Sequence, residues 1–172
     1  MLLPLLHRTA HSRVVSLYSL AASWGHVRFD DLQFAKKYEA ANAYSQSKLA
    51  CLMFAIELDK RLRAARYSVS ALAAHPGVSE SELNRHLPSW VRMMMSIFGS
   101  AFMQSAAAGA LPTLYAALDE AVHGGEATAP SGRGEMKGPP RVVAINPKAQ
   151  DAAARERLWS ISEQLCGFEY AF

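Results

Sequence analysis

The sequence predicts an α/β fold built on a parallel sheet, and three observations carry that prediction. Arg13–Tyr18 (RVVSLY) is a short β-branched run, the pattern of a strand covered on both faces. From about Asn42 to Ala65 the apolar residues recur with a helical period, with Leu49, Leu52, Met53 and Ile56 one turn apart on one stripe. Ser68–Ala74 (SVSALAA) is a second candidate strand, closed by the turn signal Pro76-Gly77. Strand, long helix and strand make a βαβ unit, whose two strands run parallel.

Taken in order, Leu2–Leu6 reads as the last turn of a helix, ahead of the first strand. A polar, irregular connection through Gly25, Asp30 and Asp31 then leads to the long helix. Ala50, Phe54, Leu58 and Leu62 form a second apolar stripe there, and so wide an arc implies burial against more than one neighbour. The basic residues Lys60, Arg61, Arg63 and Arg66 fall where that helix ends, a position its dipole favours; a phosphate-binding patch is the weaker alternative. After an irregular span through His86 and Pro88, the small-residue run Ser105–Leu118 reads as a buried helix. Glu126–Ala129 or Arg141–Ile145 supplies a third strand. Asp151–Leu165 is an amphipathic helix with Leu158, Ile161 and Leu165 on its apolar side. No internal repeat or linker divides residues 1–172, so one domain is expected.

Composition narrows the class. Of 172 residues, 51% are hydrophobic and 19% charged, enough apolar surface to offset the entropy of ordering. The two cysteines, Cys51 and Cys166, are too few for a disulfide framework or a zinc site, and nothing requires an oxidising compartment, so a cytoplasmic chain is expected. A net charge of +3 is mildly basic, but no aromatic residues interleave with the basic run, and nucleic acid is not an expected partner. Met1–Leu6 is too short and lacks the cleavage site of a signal peptide. Met93–Leu118 carries no charge and could span a bilayer, yet its serines, Gln104 and the breakers Gly99, Gly109 and Pro112 favour a buried helix preceded by an apolar flap. Association with a membrane surface is not favoured. His7 and His11 share the i,i+4 spacing of metal ligands, but no third ligand accompanies them, so no metal site is expected.

The chemistry concentrates near the long helix's start. Tyr44 and Lys48 are four apart and share one face. A phenol is a poor acid or base at neutral pH, and an ammonium one turn away stabilises its anion and brings it toward the working range. That pair suits the exchange of a proton with a carbonyl or alcohol oxygen. The spacing alone is a weak signal. Ser19 lies just past the first strand, and the second strand ends in His75-Pro76-Gly77. In an open α/β sheet, ligands bind at the carboxyl ends of the strands, where these elements converge.

In these stretches the chain resembles the short-chain dehydrogenase/reductase family, in its retinol-dehydrogenase-like branch. The matching segments are RVVSLYSLA (13–21), FDDLQ (29–33), AYSQSKLA (43–50), ALAAHPGV (71–78) and, more loosely, GGEATAPSGRGEMKG (124–138). The resemblance implies a Rossmann-like, doubly wound parallel sheet of which this chain is the C-terminal half or so. It also implies that Tyr44 is the catalytic acid/base, that Ser19 holds the substrate oxygen, and that Lys48 binds the nicotinamide ribose while tuning Tyr44. Pro76, Gly77 and Val78 would lie against the nicotinamide, and Ser81 would contact its carboxamide or a phosphate. Residues 83–103 match the family's substrate lid, and Trp90, Met93, Met94, Met95, Ile97 and Phe98 there suggest a lipophilic alcohol, aldehyde or ketone. The implied cofactor is NADP or NAD, with NADP slightly favoured, and a homodimer is plausible by the same resemblance.

Two departures stand out. The family's glycine-rich turn, which sets the dinucleotide phosphates at a helix N-terminus, has no counterpart in these residues. Gly132, Gly134 and Gly138 follow no strand–helix pattern and read as a plain turn. Tyr18 stands where the family usually has Ser. Two functions follow as expectations: an NAD(P)-dependent oxidoreductase, or a truncated, non-catalytic fragment of that fold acting, if at all, as an interaction partner.

Overall fold

The computed structural model describes residues 2–78 and 103–172. Ser81 and the proposed lid, apart from Met103, lie outside them. Helix α1 (Leu3–His7) leads into strand β1 (Arg13–Leu17), and a 3-10 turn (Leu20–Ser23) follows. Helix α2 (Ala40–Ala64) returns the chain to β2 (Ser70–Ala74). Helix α3 (Ala106–Leu118), strands β3 (Ala127–Pro130) and β4 (Pro140–Val143), and helices α4 (Pro147–Gln150) and α5 (Ala152–Cys166) complete it.

The sheet has four strands in the order β1-β2-β3-β4. β1 and β2 are parallel from Arg13 opposite Ser70 to Leu17 opposite Ala74, and β2 and β3 are parallel. Both candidates for the third strand are strands: β3 and β4 form an antiparallel pair, with Pro130 opposite Pro140. The sheet is therefore mixed, because the connection 131–139 is long enough to reverse the chain but too short for a parallel crossover.

Side-chain alternation shows that the sheet is covered on both faces. Ala71 and Ala73 of β2, with Val14 of β1, pack into clusters with Leu52, Met53, Leu58 and Leu62 of α2. Leu72 and Ala74, with Val15, pack instead with Tyr115 and Ala116 of α3. Small residues on β2 let both helices approach closely, and Ala71 to Ala74 are at most 1% exposed. Pro112 interrupts the hydrogen-bond ladder of α3, and its own carbonyl accepts from Thr128 Oγ1 at 2.8 Å in the core. β1 is an edge strand: its second edge pairs with no strand among the described residues.

Three members of the basic run at the end of α2, Lys60, Arg61 and Arg63, are paired. Glu57, 1% exposed, meets Lys60 at 3.5 Å, Arg61 at 3.0 Å and Arg155 of α5 at 3.4 Å. Asp59, also buried, pairs with Arg63 at 2.6 Å and accepts the Ala71 N–H at 3.1 Å, tying the helix to the start of β2. Helix α5 starts one residue later than expected, at an Asp151 cap that accepts the Ala154 N–H. Its buried face differs from the expected stripe. Leu158 and Trp159 are buried, Ile161 is half-buried and Leu165 is exposed. Trp159 stacks on Phe54 at 5.7 Å and lies under the Arg61 guanidinium, so the largest side chain sets the helix rotation.

Candidate active site

Three of the expected residues come together where β1 ends and α2 begins. Ser19 is the cap of the 3-10 turn, its Oγ accepting the Ala21 N–H at 3.3 Å. A hydroxyl that accepts one bond keeps its own proton to donate. Lys48 Nζ donates to the Leu17 carbonyl, the last of β1, at 3.4 Å, and lies 5.8 Å from the centroid of the Tyr44 ring. One ammonium thus ties the helix that bears Tyr44 to the strand end that bears Ser19. Tyr44 is 37% exposed, so its phenol is open to a ligand.

The connection through FDDLQ supports this corner, and its role was not legible in the sequence. Gln46, buried two residues past Tyr44, accepts the Arg28 N–H at 2.8 Å and donates to the Leu32 carbonyl at 2.9 Å. Asp31, also buried, accepts the Ala35 N–H at 2.7 Å and meets Arg28 at 3.5 Å. Gly25 lets the chain pass against α2, since a Cβ there would overlap the Ser45 carbonyl.

The Pro76–Val78 turn stands at the end of β2, and Gly77 adopts φ 72°, which favours glycine. Val78 N–H donates to the Met136 carbonyl at 2.8 Å. The Gln104 side chain donates to the Pro76 carbonyl at 2.8 Å and accepts the Gly138 N–H at 3.1 Å. The glycine-rich stretch 132–138 is a turn, as its context implied, closed by Gly132 N–H to the Lys137 carbonyl at 3.0 Å.

Beside this turn lies a second group that sequence reasoning missed. His75 is 1% exposed, its ring edge-on to that of Tyr18 at 5.4 Å and its Nε2 3.8 Å from the Glu135 carboxylate. Burial pushes the His75 pKa down to about 4. It pushes the Tyr18 phenol up, the Glu135 charge adding to the effect, and it raises Glu135 against the pull of Arg141. Tyr18 packs into the core with Ala22 and Leu49, so the departure at position 18 fills space rather than extending the open corner. A lone Glu inside a glycine-rich turn carries no spacing signal that could have singled it out.

Elsewhere, a mostly apolar cavity of about 420 Å³ lies between α2 and α5, with Cys51, Phe54, Leu158 and Cys166 in its walls; Ser19, Tyr44 and Lys48 do not line it. His7 Nδ1 accepts the Ser68 N–H at 3.3 Å, and no group of three or more metal-ligating side chains exists among the described residues. No helix among them is long and apolar enough to cross a membrane.

For a dinucleotide the fit is one-sided. The open Tyr44 phenol, the Lys48 ammonium and the turn at 76–78 suit its nicotinamide–ribose end, but no glycine-rich strand–turn–helix is present here to take the pyrophosphate.

Known proteins resemble the chain over nearly its whole length. It is 33% identical to human Retinol dehydrogenase 14 over 97% of its residues and 48% of that protein. It is 36% identical to mouse Retinol dehydrogenase 12 over 99% of its residues and 50% of that protein. A crystal structure of an uncharacterized protein from Mycobacterium Paratuberculosis superposes with a TM-score of 0.73 at 35% identity, over 94% of this chain and 52% of the other. No protein-family model matches. The chain spans about half the length of the curated relatives it matches. Through these similarities, on a sheet of the expected class, the chain has homologues among the retinol-dehydrogenase-like members of the short-chain dehydrogenase/reductase family and corresponds to about half of that fold.

Proposed function

We propose that this chain forms the catalytic part of an NAD(P)-dependent oxidoreductase that interconverts an alcohol and a carbonyl on a lipophilic small molecule. The supporting observation is the bridge made by Lys48, whose ammonium meets both the Tyr44 ring and the carbonyl end of β1. In this reading Tyr44 passes a proton to or from the substrate oxygen, and Ser19 donates a hydrogen bond that orients it. Lys48 holds the ribose, and Pro76, Gly77 and Val78 line the nicotinamide, with Ser81 on its carboxamide or a phosphate. Bound NADP, favoured here over NAD, supplies the hydride donor or acceptor. The apolar character of 83–103, with Trp90 and Met93 to Met95, supports a lipophilic substrate. A cytoplasmic location and a homodimer belong to the same proposal.

The test uses the chain joined to the upstream half of a retinol dehydrogenase. Tyr44→Phe is expected to lower turnover at least ~100-fold, the usual share of general acid–base catalysis. Lys48→Met should lose turnover and cofactor affinity together. Near-normal turnover of Tyr44→Phe from about pH 6 to 9 would remove Tyr44 from this role.

A further inference from the structure

The Pro76–Val78 turn and the loop at 132–138 are held together by the Val78–Met136 hydrogen bond and by the Gln104 bridge. A third approach, His75 Nε2 to Glu135 Oε2 at 3.8 Å, is too long for a hydrogen bond. The imidazole's roles follow from its other nitrogen. Nδ1 accepts the Gly77 N–H at 2.9 Å, so it carries no proton, and the hydrogen of the neutral ring is on Nε2. That nitrogen is buried and makes no hydrogen bond of good geometry among the described residues, a costly state for a donor, although the Glu135 backbone carbonyl lies near enough to favour the protonated ring. Glu135 has the means to satisfy it. Its side chain is 28% exposed with the carboxylate already 3.8 Å from that nitrogen, and its backbone is held at φ 57°, a conformation that non-glycine residues rarely keep unless their surroundings impose it.

We infer that Glu135 is a positioning residue whose carboxylate takes the Nε2–H of His75, fixes the ring in that tautomer, and thereby holds the Gly77 amide and the Pro76–Val78 turn in place. The claim that this turn faces a nicotinamide rests on the function proposed above; the latch does not. The other ionisable groups around it are Tyr18, edge-on to the imidazole, and Arg141, whose charge acts on Glu135.

The test reads the ring nitrogens of His75 by ¹⁵N NMR and the exchange of the Gly77 amide, on the 172-residue chain and without catalysis. The wild-type ring should carry its proton on Nε2, a result that needs no variant to fold. Glu135→Ala should shift the Nε2 signal and speed Gly77 exchange at least ~10-fold, while Glu135→Gln, which keeps an acceptor oxygen, should stay within about 3-fold of wild type. Glu135→Gly relieves the backbone yet lacks the acceptor, and should behave as Ala does. A proton on Nδ1 in the wild type would overturn the latch. So would unchanged signals in Glu135→Ala, which give the role to the residue's backbone carbonyl, or wild-type protection in Glu135→Gly, which makes strain the cause. Failure of Tyr44→Phe to lower turnover would leave the latch standing, so the two readings fail separately.

Discussion

Two corners of this molecule begin one residue apart just past the end of β1 and meet opposite environments. Ser19 is half-buried and caps the turn that packs on the helix bearing Tyr44, which is 37% exposed, whereas Tyr18 lies beside His75 in the core and is 8% exposed. Each corner holds a tyrosine and a basic side chain. In the open one, an ammonium approaches an accessible phenol. In the closed one, burial drives both the phenol and the imidazole toward their uncharged forms. The contrast teaches that residue types do not identify a proton-transfer site. Access does, since a group that cannot reach a ligand serves the packing instead.

The sharpest way to break this comparison is to remove the two phenolic hydroxyls in turn from the chain joined to an upstream half. Tyr44→Phe should cost at least ~100-fold in turnover with the melting temperature nearly unchanged. Tyr18→Phe should leave turnover within a few-fold; equal losses in steady-state assays would erase the distinction between the corners.

A second expectation concerns the open corner by itself. If the open corner holds only the nicotinamide end, as proposed, the 172-residue chain in isolation should show no saturable binding of NADH or NADPH by titration calorimetry. The edge of β1 that pairs with no strand among the described residues should meanwhile promote self-association, visible by analytical ultracentrifugation. A monomeric, cooperatively melting sample with micromolar affinity for either cofactor would contradict both statements.

Glycines give a smaller contrast. Gly77 and Gly167 both have positive φ, so Ala at either costs about 1–2 kcal/mol in backbone strain. A Cβ on Gly77 would also overlap the Met136 carbonyl, whereas nothing lies within 4 Å of one on Gly167. Urea denaturation should find Gly77→Ala the more destabilising by at least about 1 kcal/mol.

The smallest effect is on acid stability. His75 has a folded pKa of about 4, below its unfolded value, so the unfolded chain takes up a proton first as pH falls. Its stabilising contribution is complete above about pH 6.5 and is lost on the way down to about 4. Glu135 works against this, because its raised folded pKa makes stability fall as pH rises past its unfolded value. His75→Asn should therefore remove the rise of stability with pH, leaving only the opposing Glu135 trend, in melts between about pH 4 and 6.5.

Much of the architecture was legible because it follows from local pattern. The β-branched run at 13–18, the two stripes of α2 and the Pro76-Gly77 stop each report their own periodicity or turn chemistry. Leu165 escaped that logic. Its spacing from Leu158 suits an apolar stripe, but the fit of Trp159 against Phe54 rotates the helix and leaves Leu165 exposed. The candidate site divides the same way. Ser19, Tyr44 and Lys48 could be singled out from spacing and resemblance, while Gln104 lies in no matching segment and Asp31, Gln46 and Glu135, which do, received no role from it. The partners of Gln104, Pro76 and Gly138, and of Glu135, His75, are distant in sequence.

By itself the sequence determined the βαβ unit, the burial of α2 on two sides and the face shared by Tyr44 and Lys48, since these depend on repeat periods of one chain segment. Only the tertiary structure decided that β4 pairs antiparallel, that Tyr18 belongs to the core while Ser19 does not, and that His75 comes within reach of Glu135. Those outcomes depend on which distant surfaces meet, and burial, which sets the charge state of each group, exists only once they have met.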